Sequence, residues 1–169
     1  MKQTSINLFV YGTLKKCHPA HDRFCRNAAL VSPARLRGRL YLLPEGYPIL
    51  EVPQEDILAF GSGDIPKDTA LEKQMAGLCS GKPFSQGAGA EWQEILGEIL
   101  RLENPLETLP DIDEYENFSP SGNSLYQRAL VLVDSPAGRK TAWTYVVAGD
   151  SKKDQLRGAR FISVWPPQD

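Results

Sequence analysis

The chain has 169 residues and a mass of 18.7 kDa, a length that suits one compact domain with a real core but not two. Nineteen basic against twenty-one acidic residues give a net charge of −2, which argues against a protein whose main work is coating nucleic acid. No apolar run approaches the roughly 18 residues of a membrane span and no signal-peptide core opens the chain, so a soluble, cytoplasmic protein with neither membrane nor nucleic-acid partner is expected.

The first strong segment is Ile6-Asn7-Leu8-Phe9-Val10-Tyr11, closed by Gly12. It is apolar and β-branched, and reads as a mostly buried strand. Pro19 to Ala29 suits a short helix with His21 and Phe24 on one face. From Ala34 to Leu42, Leu36, Leu40 and Leu42 alternate with basic residues, the pattern of a half-exposed strand. Pro44 to Pro48 is a turn and Ile49 to Val52 a short strand. The pattern then weakens, and we read residues 54–92 as an insertion in a single 1–169 domain. Within it, Asp68 to Leu78 resembles an amphipathic helix capped near Asp68, and Gly81 to Gly89 a loop. Glu94 to Leu102 returns to strand character. Pro105 to Asn117 suits a helix entered after Asn104, with proline at its first position. Tyr126 to Val133 and Thr141 to Val147 make two more strands around the turn Asp134 to Gly138. Strands outnumber helices and arrive mainly as neighbours, so an antiparallel or mixed sheet, or a closed barrel, is favoured over a doubly wound fold.

Charge is unevenly spread. Residues 1–50 carry eight Lys/Arg and two Asp/Glu, giving +6, and the remainder balances at −8. Solvated surface charge is the plainer account of this, an anionic ligand the sharper one. Three cysteines, Cys17, Cys25 and Cys79, cannot all pair within one chain, and reduced thiols are the default. Cys17-His18-Pro19-Ala20-His21 with Cys25 invites a zinc reading, but the order fits no common finger spacing. No metal or other cofactor is therefore expected.

Two segments have the makings of a site. A strand ending in Tyr11-Gly12-Thr13-Leu14 places successive backbone N–H groups where the chain turns, and Gly12 lets a ligand approach the backbone. The acidic run Asp111-Ile112-Asp113-Glu114-Tyr115-Glu116 puts Asp113 and Glu116 on one helix face. A carboxylate drawn inward there gains a raised pKa and becomes usable as a general acid or base. A solvated helix end is the plainer account of the same residues.

Taken in order, these landmarks resemble the gamma-glutamylcyclotransferase family, in particular its branch with avirulence-induced-gene-like and gamma-glutamylamine cyclotransferase members. The motifs are Phe9 to Leu14, His21, Gly38-Arg39-Leu40-Tyr41, Tyr47-Pro48, Gly97-Glu98-Ile99-Leu100, Ile112-Asp113-Glu114-Tyr115-Glu116, Tyr126-Gln127-Arg128 and Trp143-Thr144-Tyr145. Asn117-Phe118 departs from the usual Gly-Tyr of that family, at a point where the pocket wall is expected. The resemblance implies an α+β fold, a small mixed β-barrel flanked by short helices, with the pocket at one end. It implies Glu116 as the catalytic carboxylate, and Tyr11, Gly12, Thr13 and Leu14 as substrate-binding residues. Tyr126, Arg128 and Tyr145 are further wall residues by the same likeness. The implied partner is a small gamma-glutamyl substrate, cyclised to 5-oxoproline with release of an amine. The alternative is a binding or regulatory module that keeps the barrel and pocket without turnover.

Overall fold

The computed structural model describes residues 4–79, 91–121, 124, 126–147 and 152–167. The glycine-rich stretch 81–89 read as a loop lies outside them. The chain forms an α+β fold around a closed five-stranded barrel. β1 (Ser5–Val10), β2 (Leu30–Leu42), β5 (Gln93–Glu103), β6 (Gln127–Ser135) and β7 (Gly138–Val146) run around it in the order β2-β5-β1-β7-β6, and a β2–β6 bridge at Arg35 and Asp134 closes the circle. β3 (Pro48–Glu51) and β8 (Arg160–Ile162) extend β2, and β4 (Ala59–Phe60) extends β6. All ladders are antiparallel except β1–β7, which pairs Leu8 with Trp143 in parallel. The sheet is thus mixed.

Why β1 reads as a continuous apolar run is plain from its two faces. Phe9 points into the barrel among Leu36, Ile95, Ile99 and Val131, whereas Ile6, Leu8 and Val10 lie under the helices with Leu109, Ile112 and Trp143. A strand covered on both sides has no polar face to alternate with. The helices are α1 (Pro19–Phe24), α2 (Ile65–Cys79), α3 (Pro105–Tyr115) and the four-residue α4 (Lys152–Gln155). β2 begins before Ala34, and the β6–β7 turn is tighter than the Asp134 to Gly138 reading, with Ser135 paired directly to Gly138. β8 escapes pattern reading because three residues carry no period.

Helix α2 differs from its expectation in two ways. It starts at Ile65, and Asp64 rather than Asp68 caps it, its Oδ1 accepting the Lys67 N–H at 3.0 Å. Nor is it amphipathic in the ordinary sense. Its buried stripe, Ile65, Asp68, Thr69, Glu72 and Cys79, has helical spacing but is largely polar, while Leu78 is exposed. The reason lies beneath it: α2 packs across β7 and β1, where the polar groups it meets need partners. The Glu72 carboxylate accepts the Asn7 backbone N–H at 3.0 Å, an amide on the parallel β1–β7 seam. The indole N–H of Trp143, buried without a well-formed acceptor, faces the same carboxylate.

Burial pushes Glu72 up to about 8, against the opposing pull of the Asn7 N–H. Its value is raised on folding, so its contribution to stability is complete below about 4.5, the ordinary value, and is lost as pH rises towards 8. Glu72→Gln keeps an acceptor for Asn7 and removes the ionisation. We expect it to be more stable than wild type by about 2–4 kcal/mol at pH 9, with the gap closing by pH 5. Urea unfolding at the two pH values tests this, and a gap of equal size at both would exclude Glu72 as its source.

Candidate active site

A cavity of about 310 Å³ opens where the C-terminal ends of the parallel strands β1 and β7 meet the start of β3 and the end of α3. Phe9, Val10, Tyr11, Gly12, Thr13, Leu14, Tyr47, Pro48, Tyr115, Glu116, Asn117, Tyr126 and Tyr145 line it.

One wall is the turn after β1. Lys15 N–H bonds to the Gly12 carbonyl at 3.1 Å, His21 Nδ1 donates to the Leu14 carbonyl at 2.8 Å, and Glu98 accepts the Lys16 N–H at 2.7 Å. These bonds hold the turn from outside. The N–H groups of Gly12, Thr13 and Leu14 find no acceptor among the described residues. Unpaired amides in succession beside a cavity make a donor set for an anion or a polarised carbonyl. A Cβ on Gly12 would stand 2.9 Å from Pro48 Cγ, so glycine lets this turn close against β3.

The facing wall is the end of α3. Phe118 N–H bonds to the Asp113 carbonyl at 2.8 Å and Asn117 N–H to the Glu114 carbonyl at 3.0 Å, the two bonds of a Schellman motif, with Asn117 left-handed at φ 52°. Asn117 therefore occupies the position where a glycine is usual, and asparagine tolerates it. This stop puts Glu116, the last residue of the helical path, into the cavity. Its carboxylate has no hydrogen-bond partner among the described residues. Burial, and after it the negative charge of Asp113, push Glu116 up to about 7. The negative end of α3 acts in the same direction.

Three tyrosines form the floor. Tyr11 donates its O–H to the Tyr145 carbonyl at 2.7 Å, Tyr126 to the Pro48 carbonyl at 2.7 Å, and Tyr145 to Asp113 Oδ1 at 2.6 Å. Burial raises all three phenols well above their ordinary value, so they stay neutral. With each proton committed to the protein, the three phenols have none left to donate into the cavity. Thr13 and Tyr115 hydroxyls meet at 2.8 Å near the mouth, where Tyr47 and Tyr115 are partly exposed.

Arg128 does not join this wall. It projects from the outer face of β6 and is fully buried under α2 and α3. Its guanidinium bonds to Asp113 Oδ2, to Asp68 Oδ2 at 2.6 Å and to the Ser62 carbonyl at 3.0 Å, between the rings of Phe118 and Trp143. Gly61 makes room for it, since a Cβ there would lie 2.7 Å from Arg128 Nε. The expectation of a wall residue fails because strand alternation aims position 128 at the helices, where two carboxylates capture it. Asp113, in turn, is no neutral bystander to Glu116. Burial pushes its carboxyl up, Arg128 beside it pulls it back part of the way, and it holds the Tyr145 hydroxyl.

Six lining residues were not named as site residues from the sequence: Phe9, Val10, Tyr47, Pro48, Tyr115 and Asn117, although Asn117 was expected near the pocket wall. Tyr47-Pro48 stood out as a motif, and Tyr115 and Asn117 flank Glu116, so adjacency was the available signal. The segment 54–79, read as part of an insertion, adds no lining residue among those described. The zinc candidates do not converge: Cys25 is buried, Cys17 is exposed, His21 Nδ1 is engaged with Leu14, and no metal-ligand group of three is found among the described residues. No described helix is long and apolar enough to cross a membrane.

The family model "Gamma-glutamyl cyclotransferase, AIG2-like" matches residues 8–63 and 65–162. An AIG2-like protein from Mus musculus is similar in structure, with 19% identity, a TM-score of 0.51, and coverage of 95% of this chain and 88% of its own. The Bacillus subtilis protein YkqA shares 20% identity at a TM-score of 0.49, covering 90% of this chain and 42% of itself. An Arabidopsis thaliana protein shares 17% at a TM-score of 0.49, with 92% and 76% covered. No curated protein sequence matches significantly.

The left-handed residue after Glu116 generates a stability test. Asn117→Gly is expected to unfold within about 1 kcal/mol of wild type, and Asn117→Val to lose ~1–2 kcal/mol, the cost of forcing a branched residue into that conformation. Denaturant unfolding of the pair measures it. Equal stability of the two variants would show that the left-handed turn does not constrain the position.

Proposed function

Because the chain belongs to the gamma-glutamyl cyclotransferase, AIG2-like family, we propose that its cavity takes a gamma-glutamyl amine or gamma-glutamyl amino acid and cyclises it to 5-oxoproline with release of the free amine. The observation that carries this reading is the lone Glu116 carboxylate, pushed up to about 7, across a cavity from the unpaired amides of Gly12 to Leu14. A gamma-glutamyl group carries an α-ammonium and an α-carboxylate on one carbon. Phenol oxygens and Glu116 suit the first, and the amide row suits the second.

The chemistry needs little else. Glu116 takes a proton from the substrate's α-ammonium, freeing its nitrogen to attack the γ-carbonyl carbon. A new C–N bond closes the five-membered ring as the original amide C–N bond breaks. Glu116 returns that proton to the departing amine, and the second proton shed by the ring nitrogen follows it, so the amine leaves as an ammonium. No water is consumed and no enzyme nucleophile is required, because attacking and attacked atoms share one molecule held in a folded conformer. A carboxyl balanced near neutrality is suited to both halves of that proton transfer. The amides of the Gly12 turn are placed to stabilise charge on a carboxylate or on the carbonyl oxygen of the tetrahedral state.

The test is 5-oxoproline release from a panel of gamma-glutamyl compounds by wild type and by Glu116→Gln. The substitution keeps size and polarity but cannot carry the proton, so kcat is expected to fall about 10²–10⁴-fold with KM little changed. The wild-type kcat/KM should rise with pH along a limb centred near 7, the value at which Glu116 of the free protein becomes able to accept a proton. Undiminished turnover by Glu116→Gln would exclude it as the catalyst. Ligand binding without 5-oxoproline from any donor would make the barrel a binding module.

A further inference from the structure

Helix α2 adds nothing to the cavity lining among the described residues, yet it buries a carboxylate that shares a partner with the site. Asp68 accepts the Ser62 N–H at 2.9 Å, the Ser62 hydroxyl at 2.8 Å and Arg128 Nη2 at 2.6 Å. The other arm of the same guanidinium holds Asp113, and Asp113 holds the Tyr145 hydroxyl at 2.6 Å. Tyr145 and Glu116 then share the cavity wall. We propose that Asp68 is a remote positioning residue for this site: by sharing Arg128 with Asp113, it sets the charge and orientation that Asp113 presents behind Glu116.

Two carboxylates compete for one guanidinium in a place water does not screen, since Arg128 is fully buried and Asp68 nearly so. With both ionised, the trio carries one net negative charge. Neutralising Asp68 leaves Arg128 to Asp113 alone and brings the trio to zero, so Glu116 gives up its proton more readily. The other titratable groups facing Glu116 do not mask this. Asp113 comes from its own helix, Tyr11 from the turn after β1, Cys25 from the end of α1, Tyr126 from the approach to β6 and Tyr145 from β7. Burial raises the three phenols, and raises the Cys25 thiol to about 12, so these stay neutral at working pH. Asp113 is the charged neighbour, and it answers to Arg128 and Asp68.

The proposal rests on Glu116 as the proton-carrying group, and its test separates the two ideas. Carbon-detected NMR follows the Glu116 side-chain carboxyl through a pH titration of the whole protein, wild type and Asp68→Asn, without substrate. Asparagine retains the shape and an oxygen acceptor for Ser62 and Arg128 but not the charge. The Glu116 midpoint is expected to fall by about half a pH unit or more, and the acid limb of kcat/KM to move with it while KM at the pH optimum stays within about twofold. A folded Asp68→Asn protein whose Glu116 midpoint moves less than about 0.2 unit overturns the proposal. If Asp68→Asn does not fold, Ser62→Ala decides. It strips one hydrogen bond from Asp68 at a half-buried loop position, Asp68 then draws harder on Arg128, and the midpoint should rise. An unmoved midpoint there overturns the proposal equally. A shifted midpoint in a protein that makes no 5-oxoproline keeps the coupling and discards the catalytic reading.

Discussion

Burying an arginine side chain completely is costly unless every charge around it is matched. The barrel tolerates Arg128 because carboxylates from two separate helices converge on it. Asp68 comes from α2, Asp113 from α3, and the guanidinium rises between them from the outer face of β6. Phe118 and Trp143 sandwich it with aromatic faces. Burial works against the charge, and Asp113 and Asp68 more than offset that, raising Arg128 above its ordinary value. Helix α3 is thereby held at a set angle to the barrel, and the position of its end, where Glu116 sits, follows from that anchoring.

This arrangement explains how a single carboxylate can stand alone in the cavity. The hydroxyl protons of the floor tyrosines are spent on the protein: on Tyr145 and Pro48 carbonyls and on Asp113. Spent donors leave nothing on the floor to hydrogen-bond Glu116 and lower its proton affinity. Donors and acceptors are instead segregated, with amides on the Gly12 side and oxygens on the other. Such polarity favours a ligand that carries opposite charges a few bonds apart.

How far this was legible in the sequence depended on which force governs each element. β1 was readable because burial on both faces writes a continuous apolar run, and the Gly12 turn because close approach to Pro48 demands glycine. The start of α3 was readable from proline at its first position, whereas its end was read two residues late, at Asn117 rather than Tyr115. Helix α2 was legible as a helix but not in its role, because its inward face carries Asp68 and Glu72, and apolar periodicity does not register polar groups buried against partners. Arg128 illustrates the same limit. Its type suits an anionic ligand, but its direction was decided by strand alternation and by an aspartate sixty residues away. Asn117 is the converse case. Its departure from the family's glycine looks like a change of pocket, whereas the backbone angle it adopts is one that asparagine shares with glycine.

The parallel seam between β1 and β7 has a consequence for how the molecule is made. Tyr11 and Tyr145, which meet across it, are separated by 134 positions in the chain. During synthesis from the N-terminus, β1 leaves the ribosome with its Gly12 turn but must wait for that whole intervening stretch before its parallel neighbour exists. Its antiparallel partner β5 arrives earlier and covers one edge. The second edge, and with it the cavity floor, is completed by the last long strand of the barrel. A nascent or truncated chain ending before β7 therefore holds both Glu116 and the Gly12 amides without the enclosure between them. Full assembly of the pocket coincides with closure of the barrel.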